Sequence, residues 1–301
     1  MDFNFWKEHV EVFTETTTFE KLEGGFSNQD KYLARNTDGT WVIQLCGIER
    51  AEVVKDQVRT IQRVAETSAK TSKIVEHGVL KNLGMVYIVY PYIVGEDGRK
   101  IIHTLSEKDQ RKLGEEAGSQ LALMHEVSAP PTTESWYKRA MEKHERYLRA
   151  YKKGSIKIEH DEEIMQFIER KRHLLKGRPN TFQHDDFHLG NIITRNGKYV
   201  CAIDFDNADW GDPYHDFVKV AIFQREESVP FSTGQINGYF QGEVPEEFWG
   251  LYAVYAAMVL FSSVVWCQRH DPNGLEEMVD RLYVIMDDHD GFSRMKPRWY
   301  E

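Results

Sequence analysis

His184, Asp186, Asn191 and Asp204 stand in one stretch of the chain, Phe182 to Asp216, at spacings that suit phosphoryl transfer from a nucleotide. His184 lies two residues before Asp186, Asn191 five after it, and Asp204 thirteen beyond Asn191 across a tight hairpin. A nucleotide's phosphates need Mg²⁺, a hard cation that takes oxygen ligands. The carboxylate of Asp204 and the amide oxygen of Asn191 can supply them. The acceptor hydroxyl needs a carboxylate to orient it and take its proton, and Asp186 can do this. The plain alternative is a structural hairpin whose carboxylates cap turns.

The spacing matches the kinase catalytic-loop pattern H-x-D-x-x-x-x-N, and Asp204-Phe205-Asp206 stands where Asp-Phe-Gly would, with the glycine replaced. His184-Asp185-Asp186-Phe187-His188-Leu189-Gly190-Asn191 resembles the H-x-D-x-H-x-x-N loop of the aminoglycoside phosphotransferases and their choline-kinase-like relatives. Ile203-Asp204-Phe205, followed by Gly211-Asp212-Pro213 and Asp216, resembles their second signature. The resemblance implies Asp186 as catalytic base, Asn191 and Asp204 as Mg²⁺ ligands, and His188 and Asp216 as residues that order the loop.

The surrounding elements read as an α+β, two-lobed protein-kinase-like fold. Residues 1–92 form the expected nucleotide-binding lobe and 93–301 the catalytic and substrate-binding lobe. In the first lobe, strands are expected over Phe19 to Gly25, Lys31 to Arg35 and Trp41 to Cys46, the last two joined by a turn at Asp38-Gly39. A helix over Ile48 to Ala69 would bury Val53, Val58, Ile61 and Ala65. Strands Ile74 to Leu80 and Met85 to Tyr90 complete the lobe. Gly24-Gly25-Phe26-Ser27-Asn28 would cover the phosphates, Gly25 by close backbone approach and Ser27 through its hydroxyl. A hinge at Tyr90 to Ile93, with Tyr92, would hold the purine through backbone groups.

Beyond the hinge, Ser106 is expected to cap a helix that runs to about Val127. Further helices are expected over Glu134 to Tyr151, Glu159 to Leu175, Tyr214 to Phe223, Glu246 to Cys267 and Leu275 to Met286. A hairpin turned at Asn196-Gly197 carries the chain from Asn191 to Asp204.

One position departs from the family pattern. The third strand of the relatives carries a Lys or Arg for the phosphates, and here Gln44 stands there. Three readings follow. Lys31 or Arg35 on the neighbouring strand supplies the charge, or the phosphate clamp is weakened, or the protein is a non-catalytic relative. An acid on the first-lobe helix would pair with a cation, with Glu52, Asp56 and Glu66 as candidates.

With 38 Lys and Arg against 48 Asp and Glu, the net charge of −10 argues against a nucleic-acid partner. Cys46, Cys201 and Cys267 fit no metal or disulfide spacing, which suits free thiols in a reducing cytosol. The first residues, MDFNFWKEHVEVF, do not read as a signal peptide. Phe248 to Cys267 has no charge over twenty residues and could span a bilayer, but its Ala, Tyr and Ser content favours a core helix, so no membrane is expected.

The expected activity is cytoplasmic, Mg²⁺-dependent transfer of the γ-phosphate of ATP or GTP to a small-molecule hydroxyl, with an aminoglycoside or similar antibiotic as leading acceptor. A choline-like amino-alcohol or a sugar is the rival acceptor, and a nucleotide-binding pseudoenzyme is the rival class. A cationic acceptor could meet Asp209 with Trp210, the Glu276, Glu277 and Asp280 group, or Asp287, Asp288 and Asp290, all of which also read as solvated faces.

Overall fold

The computed structural model describes residues 3–22 and 29–300. The first lobe runs α1 (Phe3–His9), β1 (Thr18–Leu22), β2 (Asp30–Arg35), β3 (Thr40–Gly47), α2 (Ala51–Ala65), β4 (Glu76–Leu80) and β5 (Met85–Pro91). Its strands make one antiparallel sheet in the order β1-β2-β3-β5-β4. Strand alternation sorts the side chains onto two faces. Ile43, Leu45, Tyr87 and Val89 pack on Trp6, Val10 and Phe13. Cys46, Val86 and Ile88 on the other face pack against Val54 and Val58 of α2. Gln44 shares this second face by alternation.

Helix α2 is shorter than expected, and two of the four expected buried positions differ. A 3₁₀ turn over Ile48–Arg50 precedes it, and Val58 and Ile61 are buried as expected, with Val54 and Val64 in place of Val53 and Ala65. Val53 is left 57% exposed. The helix stops at Ala65 because the Thr67 hydroxyl donates to the Val64 carbonyl (2.7 Å) and the chain turns away.

The second lobe opens with β6 (Glu96–Asp97) and a single turn, α3 (Gly98–Ile101). Long helices α4 (Glu107–Met124), α5 (Trp136–Lys153) and α6 (Asp161–Lys171) follow. Ser106 caps α4 by accepting from the Asp109 amide (3.2 Å). Then come β7 (Thr181–Gln183), the hairpin β8 (Ile192–Arg195) and β9 (Lys198–Ala202), and β10 (Asp209–Gly211), which pairs with β7. The hairpin turns on Asn196 and Gly197, both at positive φ (53° and 69°), as a tight two-residue turn requires.

The expected helix from Tyr214 to Phe223 is two tighter and wider pieces. A 3₁₀ turn over Pro213–Phe217 is capped by Asp212, and a π-helical turn follows over Val220–Gln224. The chain ends with α7 (Arg225–Glu227), α8 (Val229–Phe240), α9 (Glu246–His270) and α10 (Leu275–Asp288). Helix α9 is long and apolar enough to cross a membrane, but 78% of its most apolar window is buried inside the protein. It is the central helix of the second lobe's core.

Helix α8 escaped the sequence pattern because VPFSTGQINGYF is rich in poor helix formers. Its two glycines explain it. Gly234 and Gly238 meet Gly114 and Gly118 of α4, each pair four residues apart. A Cβ on Gly118 would collide with the Gln235 carbonyl, and one on Gly238 with that of Glu115. The helices therefore cross backbone against backbone, and the contact repays the poor propensity.

The α4–α8 crossing and a buried histidine elsewhere in the second lobe each make a testable prediction. Gly118→Ala should lower unfolding free energy by about 1–3 kcal/mol through overpacking, read from denaturant midpoints. An unchanged midpoint would contradict the close crossing. The second concerns His144 of α5, whose ring packs edge-on to Phe261 of α9 (6.1 Å between centroids). Burial pushes its pKa down from 6.5 to about 4. The unfolded chain therefore takes up this proton first, so its contribution is whole above pH 6.5 and is lost as pH falls toward about 4. His144→Phe should lose less melting temperature than the native protein between pH ~7 and ~4.5. Equal losses would remove His144 as a source of acid sensitivity.

Candidate active site

Strand β7 leads directly into the loop 184–191, and the β8–β9 hairpin carries the chain back to Asp204. The Ile203 amide donates to the Asn191 carbonyl (2.9 Å), and His184 Nε2 donates to the Ile203 carbonyl (3.1 Å). These two bonds hold the ends of both signature segments together. His184 is wholly buried, and burial lowers its pKa.

Asp216, also fully buried, fixes the loop's path. Its carboxylate accepts the amides of His184 (2.8 Å) and Asp185 (2.6 Å). His125, at the C-cap of α4, donates from Nε2 to the same carboxylate (2.9 Å), and its other ring nitrogen meets the Tyr239 hydroxyl of α8 (3.0 Å). The α4–α8 crossing thus reaches the loop through three side chains. Asp212 is anchored separately by a two-pronged Arg178 contact (2.8 and 3.0 Å) and the Tyr255 hydroxyl of α9 (2.7 Å).

Asp185 and Asp204 hold φ of 54° and 65°, a left-handed conformation that costs most side chains about 1–2 kcal/mol and that Asp tolerates better. The bonds just described maintain it. Asp186 faces the cleft with Lys219 Nζ at 3.0 Å and His188 Nε2 at 3.5 Å from one carboxylate oxygen, and Asn191 Nδ2 at 2.9 Å from the other. Burial alone would raise its pKa, but His188 and Lys219 outweigh it and hold Asp186 below the usual carboxylate range.

Lys31 Nζ lies 2.9 Å from Asp204 Oδ2 and 3.6 Å from Asp206 Oδ2. Gln44 Nε2 donates to Asp206 Oδ1, and Gln57 of α2 donates to the same oxygen (3.2 Å). Asp206 Oδ2 is buried and makes no hydrogen bond. Burial, reinforced by the neighbouring Asp204, raises the Asp206 pKa.

This oxygen set fits a hard cation. Asn191 spends its Nδ2 on Asp186, which leaves the amide oxygen as its ligand end, and Asp204 and Asp206 add carboxylates. No group of three or more His, Cys, Asp or Glu stands together among the described residues. Mg²⁺ suits such a set, because it draws much of its shell from phosphate and water.

Asp186, Asn191 and Asp204 thus come together on one cleft of about 890 Å³, which Lys31 and Asp206 also line. Gln44 sits behind it, buried against Asp206. Tyr92 is 45% exposed, and its amide donates to the Thr40 carbonyl (2.9 Å). Gly25 and Ser27 lie outside the described residues. The candidate helix acids turn outward, Glu52 to Lys55 and Asp56 to Arg59, while Glu66 is exposed. Gln57 holds the inward position instead. Sequence reading missed it, although its place three residues after Val54 on the buried stripe marks the face.

The second-lobe side of the cleft is walled by Trp136, Tyr147, Phe223, Met258 and Trp266. Its acids are engaged. Asp185 meets His215 (3.1 Å) and Lys143 (3.6 Å), and Arg281 bridges Glu226 (2.5 Å) and Glu277 (3.0 Å). Of the other acids considered for an acceptor, Glu276 and Asp280 are exposed and Asp288 pairs with Arg225 (2.7 Å). Asp209 pairs with Arg139, Trp210 stacks under Arg63 (5.0 Å), and Arg298 takes Asp287 (3.2 Å) and Asp290 (2.8 Å).

The phosphotransferase enzyme family (APH) has a model that matches residues 18–251. No curated protein matches the chain. Among solved structures, the ADP-bound aminoglycoside phosphotransferase APH(2'')-Ib is 17% identical with a TM-score of 0.68, over 100% of this chain and 99% of that one. The streptomycin–ATP–APH(2'')-IIa ternary complex is 16% identical with a TM-score of 0.67, over 94% and 98%. A ternary complex of APH(4)-Ia with AMP-PNP and hygromycin B is 15% identical with a TM-score of 0.67, over 93% and 96%. These similarities establish the two-lobed kinase-like fold, and with a family match over most of its length the chain belongs to the phosphotransferase enzyme family.

Proposed function

We propose that the protein moves the terminal phosphoryl group of ATP or GTP to a hydroxyl of a small molecule, with Asp186 as base and Asn191 and Asp204 as Mg²⁺ ligands. The observation that carries this reading is the convergence of those three side chains on one cleft between the lobes. Lys219 and His188 keep Asp186 ionised, so its carboxylate can orient the acceptor hydroxyl and receive the proton as the new oxygen–phosphorus bond forms. The bond from the terminal phosphorus to the bridging oxygen breaks, and nucleoside diphosphate leaves. Mg²⁺, when bound, would neutralise phosphate charge at Asn191 and Asp204. The Asp216 carboxylate and the Asn191–Ile203 backbone bond brace the loop that carries these groups.

An antibiotic acceptor is the first reading, since the similar structures include complexes with streptomycin and hygromycin B. The engaged acids favour a second within the same chemistry. Asp185, Glu226 and Glu277 already face cations, so a molecule with one amine and an apolar face suits the aromatic wall better than a polycation. A choline-like amino-alcohol or a macrolide has that character.

Mg²⁺-dependent nucleoside diphosphate release, measured with ATP and GTP against aminoglycosides, macrolides, amino-alcohols and sugars, tests the reaction and ranks the acceptors. Acceptor-stimulated release should fall about 10²–10⁴-fold in Asp186→Ala while nucleotide still binds. Unaltered turnover would remove Asp186 from the chemistry. Separately, Asp204→Ala should weaken nucleotide binding in Mg²⁺, and an affinity equal to the native one would contradict its role as a ligand.

A further inference from the structure

We propose that Lys31, on β2, is the side chain that grips the donor's phosphates, while Gln44 and Gln57 brace the metal-binding loop through Asp206. The inference rests on the phosphoryl-transfer reading above. Lys31 and Gln44 are directly paired across β2 and β3, so their side chains leave the sheet on the same face. Both reach the Asp204–Asp206 segment, but they reach different atoms. Gln44 spends its amide N–H on Asp206 Oδ1 and is buried, with 5% of its surface exposed. Lys31 lines the cleft, with its ammonium beside Asp204 Oδ2.

The neighbouring strand's other candidate, Arg35, is excluded by position. It pairs with Thr40 at the far end of the hairpin, and its side chain is 57% exposed and faces Glu20. Lys143, Lys219 and Arg281 line the cleft from the second lobe and pair with Asp185, Asp186, Glu226 and Glu277. Lys31 is the cation that the first lobe's sheet brings to the cleft among the described residues. An ammonium has three donors, so it can keep one on Asp204 and turn others to phosphate oxygens.

The brace accounts for the other departures from the kinase pattern. A Lys on β3 and a Glu on the small-lobe helix would join as an ion pair. Here Gln44 on β3 and Gln57 on α2 are both neutral donors to the carboxylate of Asp206, which stands in the place of a glycine. The acid has moved to the metal-binding loop and the cation to β2. The same three elements remain joined, with the charge of the phosphate clamp entering from one strand away.

Titration calorimetry of Mg²⁺–ADP, Mg²⁺–GDP, adenosine and guanosine on the native protein, Lys31→Met and Gln44→Met tests this, with thermal melts of each. Lys31→Met should weaken diphosphate binding about tenfold or more, the loss of a charge-assisted contact, and leave nucleoside binding unchanged. Gln44→Met should lower the melting temperature and weaken diphosphate binding less than Lys31→Met does. In the double variant Lys31→Met/Gln44→Lys, part of the lost affinity should return. Equal diphosphate affinity of Lys31→Met and the native protein would overturn the assignment of Lys31 alone. A parallel loss of nucleoside affinity would also overturn it, because the effect would then be structural. A native protein that binds neither diphosphate would overturn the phosphoryl-transfer reading itself, and this inference with it.

Discussion

The carboxylate of Asp216 is the point on which the site depends. It takes two consecutive backbone amides, those of His184 and Asp185, and one imidazole N–H from His125. Those amides would otherwise be buried donors without partners, and leaving one unsatisfied costs about 1–3 kcal/mol. With them bound, Asp185 holds its left-handed turn and Asp186 emerges into the cleft. Behind His125 stands Tyr239, and behind both stands the contact between α4 and α8. The path of the 184–191 loop is thus set by packing in the second lobe rather than by the loop's own preferences.

The cleft concentrates acids, and the protein manages them by pairing. Asp186 faces Lys219, Asp185 faces Lys143 and His215, and Asp204 faces Lys31. Neither half of these pairs is dispensable to the other in a partly buried setting, because removing one leaves an uncompensated charge. Asp206 is the exception in kind. Its hydrogen-bond partners are two amides on one oxygen, while the other oxygen makes no hydrogen bond among the described residues and has Lys31 nearby (3.6 Å).

Much of this was legible in the sequence, and the limits have physical causes. The loop 184–191 and the Ile203-Asp204-Phe205 segment carry short, rigid spacings, so their residue types alone indicated a common site. Strands β2 to β5 and the hairpin at Asn196-Gly197 followed from alternation and turn chemistry. The edges of the α2 stripe did not, since Val54 and Val64 rather than Val53 and Ala65 flank the correctly read Val58 and Ile61, and Gln57 lies beside that stripe. Helix α8 did not either, since its sequence opposes helix formation until Gly114 and Gly118 are placed against it. The place of Lys31 on the same sheet face as Gln44 needed cross-strand register, which a sequence leaves open until the sheet is assembled.

The crossing of α4 and α8 also constrains how this protein can vary. A core made of interlocking side chains can drift, because a large residue on one side can be exchanged for a small one while its neighbour changes in compensation. At Gly114, Gly118, Gly234 and Gly238 the opposing surface is main-chain carbonyl, which no substitution can shrink. These four positions have no compensatory partner, so neutral divergence is closed to them while the helices around them remain free to change. Any lineage that keeps this way of holding Asp216 must keep all four, and one that loses them must find another route to the loop.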